Sequence, residues 1–150
     1  MPFRNIGIFY MIEPLFEELR RVFPIDIGPR GGGNMIPDLL GDIFSVDIPA
    51  MCVQAATGAP IQVAPHKPDG CYATYNLHCN QDGIYKDVIF SPEIEPYIYR
   101  KCLYCKPGDP VHYFDNASKC LGILFMKFRT QSEMLPLLAH MQDLITVRRT

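Results

Sequence analysis

Two carboxylates near the start of the chain have the spacing of a divalent-cation site. Glu13 follows a short apolar, β-prone segment at residues 7–12, and Asp26 lies within a second such segment at residues 22–27. If residues 19–20 form the tip of a hairpin, Glu13 faces Asp26 on one side of the ladder. Opposed like charges on a sheet are destabilising unless a cation lies between them, and paired carboxylates suit Mg²⁺ or Mn²⁺. The sequence therefore predicts a metal site on this hairpin.

The residues after the second strand predict an anion site. Arg30 lies four positions past Asp26, a spacing that returns it to the same face if the strand extends that far. Its planar guanidinium can bind a phosphate or a carboxylate through two parallel hydrogen bonds. Gly31, Gly32 and Gly33 follow. Because they lack Cβ atoms, backbone amides there can approach an anionic ligand closely.

A helix is predicted to follow this glycine loop. Asn34 suits its N-cap, residues 35–44 carry apolar side chains at helical spacing, and Pro37 falls in the first turn. A glycine loop that feeds a helix N-terminus binds anions by its geometry. The alternative interpretation is a flexible turn before a helix, with Arg30 neutralising Asp26. The order and spacing of the elements together favour the chemical interpretation.

The segment from Ile25 to Pro37, with Glu13 before it, resembles the signature that closes the ATP-grasp fold of carboxylate–amine ligases. The resemblance implies that Glu13 and Asp26, thirteen positions apart, hold Mg²⁺ against the phosphates of ATP. It also implies that Arg30 binds ATP-derived oxygens and stabilises the transferred phosphoryl group and the acyl-phosphate intermediate.

The same resemblance implies that Gly31, Gly32 and Gly33, with Asn34, border the acceptor substrate. The sequence departs from the family pattern at two positions. Asp26 stands where the family usually has Glu, which shortens the reach of the carboxylate. Gly28 stands where many members have an Asn that completes the metal site, so one metal ion would be held by fewer protein groups.

In the intact enzyme that the resemblance implies, ATP with Mg²⁺ phosphorylates a small-molecule carboxylate, and an amine attacks the acyl phosphate. The family carries a second glycine-rich loop and nucleotide-gripping lysines upstream of the metal hairpin, whereas twelve residues precede Glu13 here. We therefore expect a carboxy-terminal fragment that is inactive without its nucleotide-binding half. That half could be a separate chain or could have been lost. Assembly of this chain into a homo-oligomer is a further alternative.

The predicted fold is α+β: an antiparallel hairpin, two helices, then a mostly antiparallel sheet with a terminal helix. We expect residues 1–58 to end the catalytic subdomain and residues 59–150 to form a β-rich carboxy-terminal subdomain. A second helix is predicted from the Asp47 cap to Thr57, with Gly58 as its stop. Strands are predicted at residues 71–79, 84–90, 97–105 and 121–128, with a hairpin turn at 80–83. A last helix is predicted from Thr130 to about Ile145, with a capping box formed by Thr130 and Glu133.

Composition narrows the function classes. A net charge of −2 over 150 residues argues against a nucleic-acid or anionic-membrane partner. No apolar run approaches the ~20 residues that span a bilayer. Because no export signal is recognisable, we expect a cytoplasmic protein whose six cysteines are mostly small buried hydrophobes.

Two alternatives remain open at this stage. One is a non-catalytic interaction or binding module that kept the end of the fold and lost its chemistry. The other, less favoured, is a zinc module in which Cys102, Cys105, His112 and Cys120 supply four ligands. A strand predicted through Cys102 and Cys105 weighs against zinc, because residues three apart on a strand point to opposite faces.

Overall fold

The computed structural model describes residues 32–64 and 66–150. The predicted metal hairpin, with Glu13, Asp26, Arg30 and Gly31, lies outside these residues. The described part contains four α-helices and six strands, as the predicted α+β class requires. The helices are α1 (Ile36–Phe44), α2 (Ile48–Thr57), α3 (Gln131–Ala139) and α4 (Met141–Leu144). The strands are β1 (Cys71–Leu77), β2 (Gly83–Phe90), β3 (Ile98–Leu103), β4 (Pro110–Val111), β5 (Gly122–Phe128) and β6 (Ile145–Arg149).

Helix α2 forms as its sequence predicts. The Asp47 carboxylate accepts a hydrogen bond from the backbone N–H of Ala50 at 2.8 Å, which caps the first turn. At the other end Gly58 takes the left-handed conformation, with φ of 70°, which ends the helix.

The predicted N-cap of α1 is wrong. Met35, and not Asn34, occupies the N-cap position, and no side chain caps the first turn. Asn34 and Met35 both have left-handed backbones, with φ of 54° and 56°. A side-chain cap normally needs an extended backbone at the capping residue, so this local conformation removes the expected bond.

The strands form two antiparallel three-stranded sheets, ordered β1-β5-β3 and β4-β2-β6. Strand β5 is the central strand of the first sheet, and six of its seven residues are buried. Its nearly continuous apolar sequence requires cover on both faces, as predicted.

The predicted hairpin between β1 and β2 is wrong. Residues 80–83 instead carry the chain from one sheet to the other, where β2 pairs with β6 and β4. Cys79 is buried before this turn, and its thiol donates to the carbonyls of Gln81 and His112. Strand β1 pairs with β5 along its full length, so non-local burial decides the partner over the local turn signal.

The end of the chain also differs from the sequence expectation. Thr130 caps α3 through a 3.3 Å bond from the Glu133 N–H to its hydroxyl oxygen, as predicted. The helical region does not run unbroken to Ile145: α3 ends at Ala139, and the short α4 leads into β6. Ile145 is buried in the main core, which favours a strand that pairs with β2 over a longer helix.

Strand β5 joins two hydrophobic clusters because its side chains alternate between the two faces of the sheet. Leu124, Met126 and Phe128 belong to the main core. Ile123 and Phe125 pack with Leu39 and Ile43 of α1. This second cluster fixes α1, and the glycines before it, on the first sheet.

Across the described ranges, no single helix has the length and apolar composition to cross a bilayer. Helices α1 and α2 meet that test only as a pair, and they are bent by 104° at the break between them.

Candidate functional site

The two glycines of the loop that the structure describes differ in their surroundings. A Cβ on Gly32 would lie 3.1 Å from the Cβ of Ile36, so this glycine packs closely on α1. A Cβ on Gly33 would meet no heavy atom within 4 Å. Gly33 and the exposed Asn34 therefore present an open approach at the start of α1.

Two aspartates of α1 bind side chains from β3. The Arg100 guanidinium donates from Nη2 to Oδ2 of Asp42 at 2.8 Å. Its Nη1 atom lies 3.9 Å from Oδ1 of Asp38. The Tyr99 hydroxyl donates to the same Oδ2 of Asp42 at 2.6 Å. These contacts form a polar cluster beside the first two turns of α1, close in sequence to the glycine loop.

A β-bulge brings two consecutive residues of β3 into this polar cluster. The register of β3 against β5 shifts between Ile98 and Arg100, so Tyr99 is the extra residue on its strand. In a regular strand neighbouring side chains point to opposite faces, and a bulge removes that alternation locally. As a result Tyr99 and Arg100 both reach Asp42.

Arg100 is packed as well as paired. Its Cζ atom lies 3.8 Å from the ring centroid of Phe125, a cation–π contact with a fully buried side chain. Among the buried side-chain nitrogen and oxygen atoms of the described residues, Nε of Arg100 is the one without a hydrogen-bond partner. Buried donors are normally satisfied, so this atom is an exception within the described part of the chain.

The Tyr99 hydroxyl stays a donor over the whole physiological range. Burial raises the pKa of Tyr99 well above its usual value, and the hydrogen bond to Asp42 raises it further. A second ring, Tyr72 on β1, meets Tyr99 edge to face at a centroid distance of 6.2 Å. The Tyr72 hydroxyl donates to Asp69 at 2.6 Å, and the Lys127 ammonium binds the other oxygen of that carboxylate at 2.7 Å. A polar strip therefore crosses the sheet from Asp69 to Asp42.

The zinc alternative receives no support from the geometry. Over residues 32–64 and 66–150, no three His, Cys, Asp or Glu side chains come together as a metal site. Cys105 packs against the main core, whereas Cys102 and Cys120 pack against the α1 cluster. Burial raises the pKa of both Cys105 and Cys120, which disfavours the thiolate that zinc binds.

The predicted site residues fall into two groups. Glu13, Asp26, Arg30 and Gly31 lie outside the described residues, so their roles stay predictions. Gly32, Gly33 and Asn34 lie directly before α1, as the sequence indicates.

Sequence reasoning missed Tyr99 and Arg100. One signal pointed to them: Asp38 and Asp42 are four residues apart on one helix, and such a like-charged pair is destabilising without a cation nearby.

No protein-family model matches the chain, and no curated protein matches it. Solved structures do. The chain is similar to phosphoribosylglycinamide synthetase from Anaerococcus prevotii, with a TM-score of 0.59 and 17% identity, over 78% of this chain and 31% of that protein. It is also similar to L-amino acid ligase from Bacillus licheniformis, with a TM-score of 0.57 and 10% identity, over 80% of this chain and 30% of that protein.

Both solved structures are ATP-grasp ligases, and the predicted resemblance is confirmed at the level of the fold. At these identities the likeness defines a shared fold. The chain spans less than a third of the length of the two ligases, so it has the fold of a part of an ATP-grasp ligase.

Proposed function

We propose that this chain is the carboxy-terminal part of an ATP- and Mg²⁺-dependent ligase that joins a carboxylate to an amine through an acyl phosphate. The observation that supports the proposal is the fold shared with two ligases over about four-fifths of the chain. The chain would act in the cytoplasm with a nucleotide-binding half supplied by another chain, and its substrates would be small molecules.

The donor set of the predicted hairpin fits the metal. Glu13 and Asp26 offer carboxylate oxygens, the ligands that Mg²⁺ prefers. These two residues would hold the ion, whose chemistry is to neutralise phosphate charge during phosphoryl transfer. Arg30 would bind the same anionic oxygens through its planar fork.

The described residues would form the acceptor side of this site. Gly33 is open enough for a substrate to approach its backbone, and Gly31, Gly32 and Asn34 would shape the same edge. Arg100, bound to Asp42 and packed on Phe125, would hold α1, and with it this edge, in position on the sheet.

Calorimetric titration of the full chain with MgATP tests the proposal. We expect no heat with the chain alone. Binding should develop when a chain carrying the missing glycine-rich loop and lysines is added, and Arg30→Ala should then weaken it. Gly33→Ala is the matched control, because Gly33 is assigned to the acceptor edge and a methyl group there meets nothing in the folded chain, so MgATP binding should be unchanged.

A non-catalytic interaction module is the second candidate. Helix α2 is apolar and uncharged, yet it has no buried residue in the described structure, and Val53 is 63% exposed. Such an uncovered apolar helix favours contact with a partner protein. Failure of MgATP to bind in either arm of the titration would favour this module over the ligase.

A further inference from the structure

A cleft of about 400 Å³ lies between the end of β1 and strand β6. Each of these is an outer strand of its own three-stranded sheet, and no ladder joins them in the described structure. An outer strand directs part of its backbone N–H and C=O groups away from its neighbour. The cleft therefore combines strand-edge polarity with a volume in the range of small-molecule sites.

The lining of the cleft is polar and carries one sign of charge. Its eleven residues include Arg149 but no Asp or Glu. Most of the others are polar or aromatic, with side-chain donors from His78, Asn80, Gln81, Gln142 and Thr146. A positive group facing a polar, carboxylate-free cavity favours an anionic ligand.

Arg149 is held in place by three independent features. Its guanidinium donates to Oε1 of Gln81, which fixes the head of the side chain. Backbone bonds between Thr150 and Ile84, at 2.9 and 3.1 Å, fix the strand end beside it. Its stem lies against Gly83, where a Cβ would come within 3.0 Å of the Arg149 Cδ. Such a pre-organised arginine loses little entropy when it binds an anion.

An aromatic wall completes the cleft. The His78 ring lies between Tyr75 and Phe114, at centroid distances of 5.5 and 4.8 Å. The Nδ1 atom of His78 is 2.7 Å from the carbonyl oxygen of Asn76, which orients the ring. A flat or compact apolar body can pack against such a wall while its charged end meets the arginine.

We propose that this cleft binds a small organic anion, a carboxylate or a phosphate monoester with a compact aromatic or aliphatic body, through Arg149. The site lies between the two sheets and uses none of the residues assigned to the ligase chemistry. Its occupancy is therefore independent of the proposed function.

Titration of the full chain with benzoate and with phenyl phosphate, followed by backbone amide NMR shifts at constant ionic strength, tests the proposal. We expect at least one probe to shift the amides of residues 78–81 and 145–149. Loss of the arginine in Arg149→Gln should weaken binding about tenfold or more, because a charge-assisted bond is removed. Comparing the two probes distinguishes a carboxylate site from a phosphate site.

Arg148→Gln is the matched control. Arg148 is the neighbouring residue on β6, but it pairs with Asp87 and does not line the cleft. Its variant should bind the probes within about twofold of the parent chain. If Arg149→Gln fails to fold, Gln81→Ala at an exposed loop position should still weaken binding. Equal affinity in the parent and Arg149 or Gln81 variants, or no binding of either probe, would overturn the proposal.

Discussion

The Nη2 atom of Arg100 donates to the Oδ2 atom of Asp42 at 2.8 Å, across 58 residues of sequence. This bond ties strand β3 to helix α1. The two side chains are about one-third exposed, and each has further contacts, with Tyr99 on the aspartate and Phe125 beneath the arginine. The pair therefore holds the helix that follows the glycine loop in a fixed position on the sheet.

The coupling between these two residues can be measured. We expect Arg100→Gln and Asp42→Asn each to lower the free energy of unfolding by about 1 kcal/mol, because a charge-assisted bond at a partly exposed site is lost. The double variant should lose less than the sum, since both changes break one interaction. Urea unfolding of the four chains measures this. Strict additivity would show that the two groups do not stabilise one another.

Gly122 should be far less tolerant of substitution than Gly33. A Cβ on Gly122 would lie 2.5 Å from the carbonyl oxygen of Cys102 and 2.9 Å from the Cα of Leu103, both backbone atoms that cannot move alone. Gly122→Ala should therefore cost about 1–3 kcal/mol of stability in thermal or urea unfolding. Gly33→Ala, which meets nothing within 4 Å, should change stability by less than about 0.5 kcal/mol. Similar losses in both variants would contradict the packing of β3 on β5.

We expect the burial of Tyr75 to make the folded chain less stable in alkaline solution. Burial raises the pKa of Tyr75 from 10.0 to about 12 in the folded chain. Above pH 10 the unfolded chain releases the Tyr75 hydroxyl proton, whereas the folded chain keeps it. The stability that Tyr75 contributes is therefore complete below pH 10 and is lost as the pH rises towards 12. Across this pH range the free energy of unfolding should fall less steeply with pH for Tyr75→Phe than for the parent chain. Identical pH dependence in the two chains would show that the hydroxyl is not buried.

The metal hairpin can be tested without ATP. If Glu13 and Asp26 share an ion, the full chain should bind Mn²⁺, and Glu13→Gln or Asp26→Asn should each weaken binding about tenfold or more, because a charged oxygen ligand becomes neutral. Water-proton relaxation measures the bound Mn²⁺. Glu17→Gln, in the charged stretch between the two predicted strands, is the control and should leave the affinity unchanged. Retained binding in both site variants would remove the metal assignment.

The features that the sequence predicted correctly are those that neighbouring residues decide. Asp47 and Gly58 bound α2 because a capping carboxylate and a left-handed glycine act within one helical turn. The apolar run before Arg129 predicts β5 as a central strand, because a strand that is covered on both faces has such a sequence. The α+β class follows from patterns of this kind. The resemblance to ATP-grasp ligases rests instead on the signature at residues 25–37 with Glu13, and the solved structures agree with both at the level of the fold.

Non-local pairing explains what could not be predicted. The turn at residues 80–83 has good hairpin chemistry, yet β1 and β2 enter different sheets, because β5 takes β1 as its neighbour. The bulge at Tyr99 leaves no signal in the residue types, and it alone brings two consecutive side chains to Asp42.

The sequence by itself determined helices α1 and α2, the start of α3 and most of the strands, and it suggested the glycine loop and the two carboxylates for a metal. Tertiary structure decided which strands are neighbours, where Arg100 binds, and that a cleft with Arg149 opens between the sheets. The physical reason is the sequence distance over which each interaction acts. Caps, turns and periodicity involve residues a few positions apart, whereas strand order, the Arg100 contacts and the cleft depend on which distant apolar faces are buried together.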